Sequence, residues 1–583
     1  LRCEAVAVSL LDVTGLTVRY GEDTVVDGVD LFIERGESVG LVGESGSGKS
    51  QSALAILGLL PRTARVSGSI EFDGQQLLDL DGRQLDTIRA RRIGMVFQDP
   101  MQALNPYLRV GAQLRQVLLS HGLAAGANAD ARVLEMLERV GLPDPQRQFR
   151  AWPHEMSGGM RQRAMIAAAL IAGPDLLIAD EPTTALDVTV QAQVLEMLEE
   201  IRDETALLLI THDLGVVAGH CEHTVVLEQG RIVEAGPTTS VFAAPRHAHT
   251  RRLLHAAPRV DKGAPPAPVT TRPMLSAADV EVDYNDLRAV NGVSFSVRTG
   301  ETLAVVGESG SGKSSLVRAV LGLVPSSGGR VIFAREPLDG LVDQRSLHVR
   351  RDLQLVYQDP TSALNPQMRV LALVEESLIV HEPKLGAKDR RARVVAVLER
   401  VGLGEKYLRR YPHELSGGQA QRVAIARALV LEPKVLVCDE AVAALDGSVR
   451  EQVLEMLREV QRDTGLSIIF ISHDLAVVRS LSHRVLVMYL GRLVELAESG
   501  ELFAAPRHPY TRALLDSIPV PDPVVKRGRA PLRGEVPSPV DQPPGCVFHP
   551  RCPKAEALCS NKPPRLADAN GSRVACHFPN QAQ

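Results

Sequence analysis

The stretch GESGSGKS occupies Gly43–Ser50, and the same eight residues recur unchanged at Gly307–Ser314. Each copy follows a short apolar run, ESVGLV in the first and ETLAVV in the second, and precedes a segment with helical apolar spacing, KSQSALAILGLL and KSSLVRAVLGLV. A glycine-rich loop between a strand and a helix lets backbone N–H groups converge on phosphate oxygens, and the helix N-terminus adds partial positive charge. A flexible Gly-Ser turn is the plain alternative for one copy. Two copies in matching contexts leave the phosphate cradle as the reading. Gly43, Ser45, Gly46, Gly48, Lys49 and Ser50 form the first candidate cradle, and Gly307, Ser309, Gly310, Gly312, Lys313, Ser314 and Ser315 the second. Lys49 and Lys313 are placed to reach the terminal phosphates, and Ser50 and Ser314 to offer a hydroxyl to Mg²⁺.

The duplication extends well beyond the loops. VFQDPMQALNP (Val96–Pro106) returns as VYQDPTSALNP (Val356–Pro366), and PHEMSGGMRQR (Pro153–Arg163) as PHELSGGQAQR (Pro412–Arg422). LLIADEPTTALD is answered by VLVCDEAVAALD, LLITHDL by IIFISHDL, and VFAAPRHAHTRRLL by LFAAPRHPYTRALL, all in the same order. At 583 residues the chain suits two domains of roughly 250 residues each rather than one core. The expected division is a first domain over 1–254, a Pro/Ala-rich linker over 255–274, a second domain over 275–518, and a Pro-rich, cysteine-bearing segment over 519–583. Continuous apolar runs that end in an acid, such as DLLIAD and KVLVCD, predict buried strands of a parallel sheet, so each half is predicted to be α/β.

Composition narrows the function classes. A formal net charge of -5 offers no broad basic field, which argues against a nucleic-acid partner. No stretch of about 18 uninterrupted apolar residues is present, so no membrane span is predicted. The N-terminus shows no basic region followed by an apolar block, and a cytoplasmic location is the expectation.

Asp180 and Asp439 fall where an apolar strand stops, placing a carboxylate near each cradle to hold Mg²⁺. Glu181 and Glu440, the next residues, are candidate general bases toward an attacking water. An isolated Asp-Glu pair is more often a solvated strand end; its place downstream of a cradle reverses that reading.

MSGGM and LSGGQ, just upstream of the Asp-Glu pairs, resemble the signature of the ABC-type ATPases, and the resemblance covers almost the whole chain. It implies tandem nucleotide-binding domains that pair head-to-tail within one chain, each ATP lying between the cradle of one domain and the signature of the other. ATP binding then closes the pair and hydrolysis reopens it. It further implies that Tyr20 and Tyr284 stack on adenine, where strand packing is the alternative for each. Gln98 and Gln358 match the glutamine that senses Mg²⁺ and water, and His212 and His473 the histidine that contacts the γ-phosphate. Asp187 and Asp446 match an acid at the seam between domains, and Ser157, Gly158, Gly159, Ser416, Gly417, Gly418 and Gln419 the signature contacts to ATP. Two positions depart from the pattern. Met160 stands where Gln419 stands in the second half, a thioether in place of an amide. Gln51 stands where Ser315 does, which puts one phosphate contact in doubt. With both Asp-Glu-His sets present, two competent sites are expected, one of them being regulatory as the alternative.

Within that family, SGGMRQR, SGGQAQR and PRHPYTRALL with its proline-rich tail are similar to the paired ATPases of dipeptide/oligopeptide importers, fused here into one chain. The similarity implies two integral-membrane permease subunits, an extracytoplasmic solute-binding protein, and a place at the cytoplasmic face of a bacterial membrane. Two alternatives stay open: a soluble twin-cassette ATPase acting on ribosomes or DNA, and an importer for a solute such as nickel or haem. The linker is short and neither helical nor strongly basic, unlike the long charged linkers of ribosomal types, and the large zinc-bearing insertions of DNA-repair types are absent from the sequence.

Seven cysteines without a secretory signal point to metal rather than disulfides. Cys3, Cys221 and Cys438 are scattered and read as small apolar residues. Cys546, Cys552, Cys559 and Cys576 cluster as C-x5-C-x6-C-x16-C, with His549 and His577 close by. Four such thiolates suit a [4Fe–4S] cluster or Zn²⁺, with no metal as the third possibility. Zinc ribbons favour tighter knuckles, and the similarity to the importer tail favours the iron–sulfur cluster.

Overall fold

The computed structural model describes residues 9–183, 186–202, 204–257, 259, 265–442, 445, 447–525, 532, 534, 536–569 and 571–580. They fall into two compact units, one from 9–186, 190–257 and 519–525, the other from 187–189, 259–518 and 532–580. The proposed seam residue Asp446, part of the linker and Cys3 lie outside the described residues.

The first unit holds a four-stranded antiparallel sheet and a six-stranded, mainly parallel one. In the antiparallel sheet Leu11–Tyr20 is flanked by Asp23–Ile33 and Ala64–Phe72. The six-stranded sheet runs, edge to edge, Arg231–Pro237, His223–Glu228, Ser38–Val42, Ala206–Thr211, Leu176–Asp180 and Ile93–Val96. Only the first pair in that order is antiparallel. Ser38–Val42, Leu176–Asp180 and Ala206–Thr211 are buried along their whole length, as strands covered on both faces must be. That burial explains their continuous apolar runs.

The second unit repeats this arrangement. Its parallel core runs Leu353–Val356, Val435–Asp439, Ser467–Ile471, Thr302–Val306 and Arg484–Tyr489, with Arg492–Glu498 antiparallel at the end. Here the sheet grows to eight strands. Ser572–Val574 pairs with Arg492–Glu498, and Ala567–Ala569 pairs with Ser572–Val574. The C-terminal segment is therefore an extension of the second unit's sheet. Phe548 and Val547 are buried in the same apolar cluster as Tyr489, Tyr510 and Leu514. Cys221 and Cys438 are core residues, and burial pushes both thiols up, Cys438 to about 12.

Among the described residues, no helix is long and apolar enough to cross a membrane.

Candidate active sites

Every candidate catalytic group leaves the carboxyl end of a parallel strand, where open α/β sheets place their ligands. In the first unit Gly43 follows Ser38–Val42, Gln98 lies two residues past Ile93–Val96, Glu181 follows Leu176–Asp180, and His212 follows Ala206–Thr211. The same four exits in the second unit carry Gly307, Gln358, Glu440 and, one residue further from its strand, His473. Strand order, rather than sequence proximity, thus assembles each set.

The loops are shaped by contact. A Cβ on Gly43 would stand 2.3 Å from the Leu227 carbonyl oxygen, and one on Gly307 would stand 2.2 Å from that of Met488. Only glycine lets the backbone pass there. Lys49 Nζ donates to the carbonyl oxygens of Gly43 and Glu44 at 2.8 and 2.9 Å, and Lys313 Nζ to those of Gly307 and Glu308 at the same distances. Both ammonium groups lie buried under their loops, and burial holds that of Lys313 below its ordinary value. The helices Lys49–Ile56 and Lys313–Leu321 start behind Gly48 and Gly312, both left-handed.

Glu181 and Glu440 have φ of 48° and 49°, the left-handed region that is uncommon for non-glycine residues. Their amides bond the next strand's carbonyls, Glu181 to Ile210 at 2.8 Å and Glu440 to Ile471 at 3.1 Å, which holds the turn. Each carboxylate lies between an amide and an imidazole. Gln98 Nε2 donates to Glu181 at 3.4 Å and His212 Nδ1 is 3.2 Å away. Gln358 Nε2 donates to Glu440 at 2.7 Å and His473 Nδ1 is 3.6 Å away. In the second unit the two groups favour each other's charged form: the His473 ring beside it holds the Glu440 carboxyl below the usual range, and the Glu440 carboxylate holds His473 above its own.

The neighbouring aspartates differ. Burial pushes the carboxyls of Asp180 and Asp439 upward, against the hydrogen bonds from Ser50 and Ser314, the latter 3.1 Å long. Asp180 Oδ1 is buried with no hydrogen-bond partner. A buried, underpaired carboxylate beside a serine hydroxyl fits a divalent cation, which would restore the lost solvation. Asp180 beside Ser50 and Asp439 beside Ser314 therefore suit Mg²⁺, whereas the amides of Gln98 and Gln358 are directed to Glu181 and Glu440. A cation held there would supply charge neutralisation to the phosphates.

The signatures open helices. Ser157 caps Gly158–Leu170 by accepting from Met160 N, and Ser416 caps Gly417–Leu429 by accepting from Gln419 N. Gln419 Oε1 also accepts from Ser416 N at 3.1 Å and so closes a reciprocal capping box, which the thioether of Met160 cannot do. A Cβ on Gly158 or Gly417 would meet nothing within 4 Å, so the approach to each signature is open. Asp187 lies in the turn before Val188–Glu200, where burial pushes its carboxyl up. Tyr20 ends the strand Leu11–Tyr20 and Tyr284 ends Pro273–Tyr284.

The metal expectation on Cys546, Cys552, Cys559 and Cys576 is not supported. All four are free thiols lining one cavity with His549 and His577. Yet among the described residues no group of three or more His, Cys, Asp or Glu side chains is arranged to hold a metal ion. His549 Nδ1 lies 2.9 Å from the Cys546 carbonyl oxygen and His577 Nε2 lies 2.8 Å from that of Lys562, so both rings face backbone. Burial pushes the Cys546, Cys552 and Cys576 thiols up, Cys576 to about 11. Strand pairing and the apolar packing of Phe548 hold the segment in place.

Two residues that sequence reasoning passed over are joined here. Glu308 is an unspecified position of the cradle motif, and Arg551 stands among the cysteines in GCVFHPRC; their side chains form a buried ion pair. A charged residue inside a Pro- and Cys-rich stretch was the one available signal.

The ABC transporter family matches residues 26–184 and 290–443, and the oligopeptide/dipeptide transporter C-terminal region matches 233–278 and 494–559. The chain is 44% identical over 526 residues to a peptidoglycan transport ATP-binding protein, YejF, of Agrobacterium fabrum, covering 87% of this chain and 96% of that protein. It is 41% identical to the glutathione import ATP-binding protein GsiA of Escherichia coli, over 91% and 93% of the two chains. Among solved structures, cbiO1 of Clostridium perfringens, part of an ABC transporter complex, covers 40% of this chain at 33% identity and a TM-score of 0.37. With two cassettes and an oligopeptide/dipeptide-type region in each half, the chain belongs to the ATP-binding proteins of ABC transporters and is an ATPase.

Proposed function

We propose that this ATPase drives import of dipeptides or oligopeptides, its domains 1–254 and 275–518 closing on ATP and reopening on hydrolysis. One observation carries the ATPase half of this reading: in each unit a glutamate in left-handed conformation is held between a glutamine and a histidine at the carboxyl ends of adjacent strands. Glu181 and Glu440 act as general bases that take the proton of the attacking water. Gln98 and Gln358 orient that water, and His212 and His473 hold the γ-phosphate. Lys49 and Lys313 exchange their loop carbonyls for phosphate oxygens. Tyr20, Tyr284, the signature residues, Asp187 and Asp446 complete the nucleotide contacts.

The peptide half rests on the duplicated oligopeptide/dipeptide-type region and on relatives named for peptidoglycan and glutathione, both peptide-bearing solutes. On this reading two integral-membrane permeases sit against the chain at the cytoplasmic face of the membrane, with an extracytoplasmic binding protein supplying the solute. Purification of the tagged chain from membranes in mild detergent tests this. Two multi-span permeases in the eluate support it, and a binding protein encoded with them names the solute by the peptides it retains. Ribosomal or DNA-repair partners without a permease overturn the transport reading and leave the ATPase standing. On this geometry the cysteine cavity receives no metal assignment; iron and acid-labile sulfide near about four each per purified chain would reverse that.

A further inference from the structure

The ion pair between Glu308 and Arg551 spans 243 residues of sequence within the second unit. Arg551 Nη1 donates to Glu308 Oε2 at 2.7 Å and Nη2 to Oε1 at 3.0 Å, a two-point fork. Both side chains are almost fully buried, at 3% and 1% exposure. Arg551 Nη1 also reaches the Tyr489 hydroxyl at 3.3 Å, and the Glu308 amide donates to the Tyr510 hydroxyl at 2.9 Å. Tyr489, Tyr510 and Phe548 pack as a ring cluster, with Phe548 edge-on to Tyr489 at 5.3 Å. Phe548 also lines the four-cysteine cavity, and Arg551 immediately precedes Cys552. The second cradle is thereby wired to the C-terminal segment through one guanidinium and three rings.

The first unit is wired otherwise. Glu44, the counterpart of Glu308, is exposed. Glu228 stands where Tyr489 does and pairs with His249, the counterpart of Tyr510, at 3.0 Å, and with Arg252 at 2.9 Å. The two loops are identical in sequence, so the difference lies wholly in what surrounds them.

We propose that Arg551 is a positioning residue for the second nucleotide cradle: its fork on Glu308 holds the loop Gly307–Ser314 ready for phosphate, a restraint with no counterpart among the described residues of the first unit. Glu308 is the second residue of that loop, and its own carbonyl accepts from Lys313, so tilting Glu308 moves the lysine that must meet phosphate. A buried, hydrogen-bonded pair fixes geometry because each charge is costly to leave alone. The inference rests on the loop's nucleotide reading and adds to it a residue outside the cassette motifs.

The test uses the full chain with one cradle disabled at a time, by Lys49→Ala or by Lys313→Ala, and reads binding of a fluorescent MgATP analogue. With the first cradle disabled, Arg551→Met weakens binding about tenfold, the worth of one charge-assisted hydrogen bond. With the second disabled, it changes binding by less than about twofold, as expected of sites without shared partners. Arg551→Lys, which keeps the charge and loses the fork, falls between. Adding Glu308→Gln to Arg551→Met costs no more than the worse single change, because the two act as one unit. Arg565→Met, an exposed cation of the same segment, changes neither. Should Arg551→Met fail to fold, Arg551→Lys and Glu308→Gln carry the same expected split. Equal weakening in both backgrounds, or none with only the second cradle active, overturns the proposal. Failure of the Lys49→Ala parent to bind MgATP overturns the nucleotide reading of the loop itself, and this inference with it.

Discussion

Tyr20 donates its hydroxyl proton to Gln51 Oε1 at 2.7 Å, tying the tyrosine at the end of its strand to the first turn of the helix behind the cradle. The second unit has Ser315 at the matching helix position, and Tyr284 is 38% exposed. If Tyr20 stacks on adenine, it does so with this bond made or broken. Gln51→Ser frees the ring and gives the first unit the hydroxyl that Ser315 gives the second, so MgATP binding at the first cradle should tighten about fivefold, the worth of a neutral hydrogen bond. Titration in a Lys313→Ala background measures it; unchanged affinity would show that the bond does not restrain the ring.

Both glutamates share one environment, an amide on one side and an imidazole on the other, and on that ground both sites should hydrolyse. Glu181→Gln and Glu440→Gln should each lower ATP turnover, and the double change should abolish it, since a general base contributes about 10²–10⁴-fold. Complete loss from one variant with no loss from the other would assign hydrolysis to a single site.

Much of this was legible from sequence because parallel strands announce themselves. Leu176–Asp180 and Val435–Asp439 read as continuous apolar runs closing on an acid, and the groups beyond them are the ones that meet. Gln51 was recognisable as a departure, but its partner was not, because Tyr20 joins it through a strand 31 residues away. The C-terminal segment resisted for a different reason. Its strands, Ala567–Ala569 and Ser572–Val574, are three residues each, too short to show a period, and they exist by pairing on Arg492–Glu498. The cysteine spacing points toward metal, whereas the group that reaches the cradle is the arginine between them.

Glu440 and His473 also set a pH dependence. The carboxyl sits below its ordinary 4.5, so its stabilising share is present above pH 4.5 and lost as pH falls through the lowered value. His473 sits above its ordinary 6.5, so its share is present below pH 6.5 and lost as pH rises through the raised value. Both shares are complete only between these two ordinary values. Lys313 and Asp474 also face the pair, and both favour its ionised form. The difference in Tm between the parent and His473→Gln should be largest from pH 4.5 to 6.5 and shrink on either side. A difference that is constant from pH 4 to about 9 would remove the ion pair from the account.

The two signatures differ by one side chain with a defined structural consequence. Gln419 and Ser416 cap each other, each accepting from the other's backbone amide, whereas Met160 leaves the cap of Ser157 one-sided. Met160→Gln should complete the second half of that box and stabilise the first unit by about 0.5 kcal/mol, and Gln419→Met should cost the second unit a similar amount. At this domain size the shifts in Tm are about 1–2 °C, in opposite directions. Turnover should follow the cap, because Ser157 and the amides of Gly158 and Gly159 are the groups proposed to meet nucleotide, and a frayed first turn presents them less often. Met160→Gln should therefore raise kcat/KM for ATP and Gln419→Met lower it. Opposite Tm shifts with no change in turnover would separate the cap from catalysis and leave the side chain at this position a matter of helix stability alone.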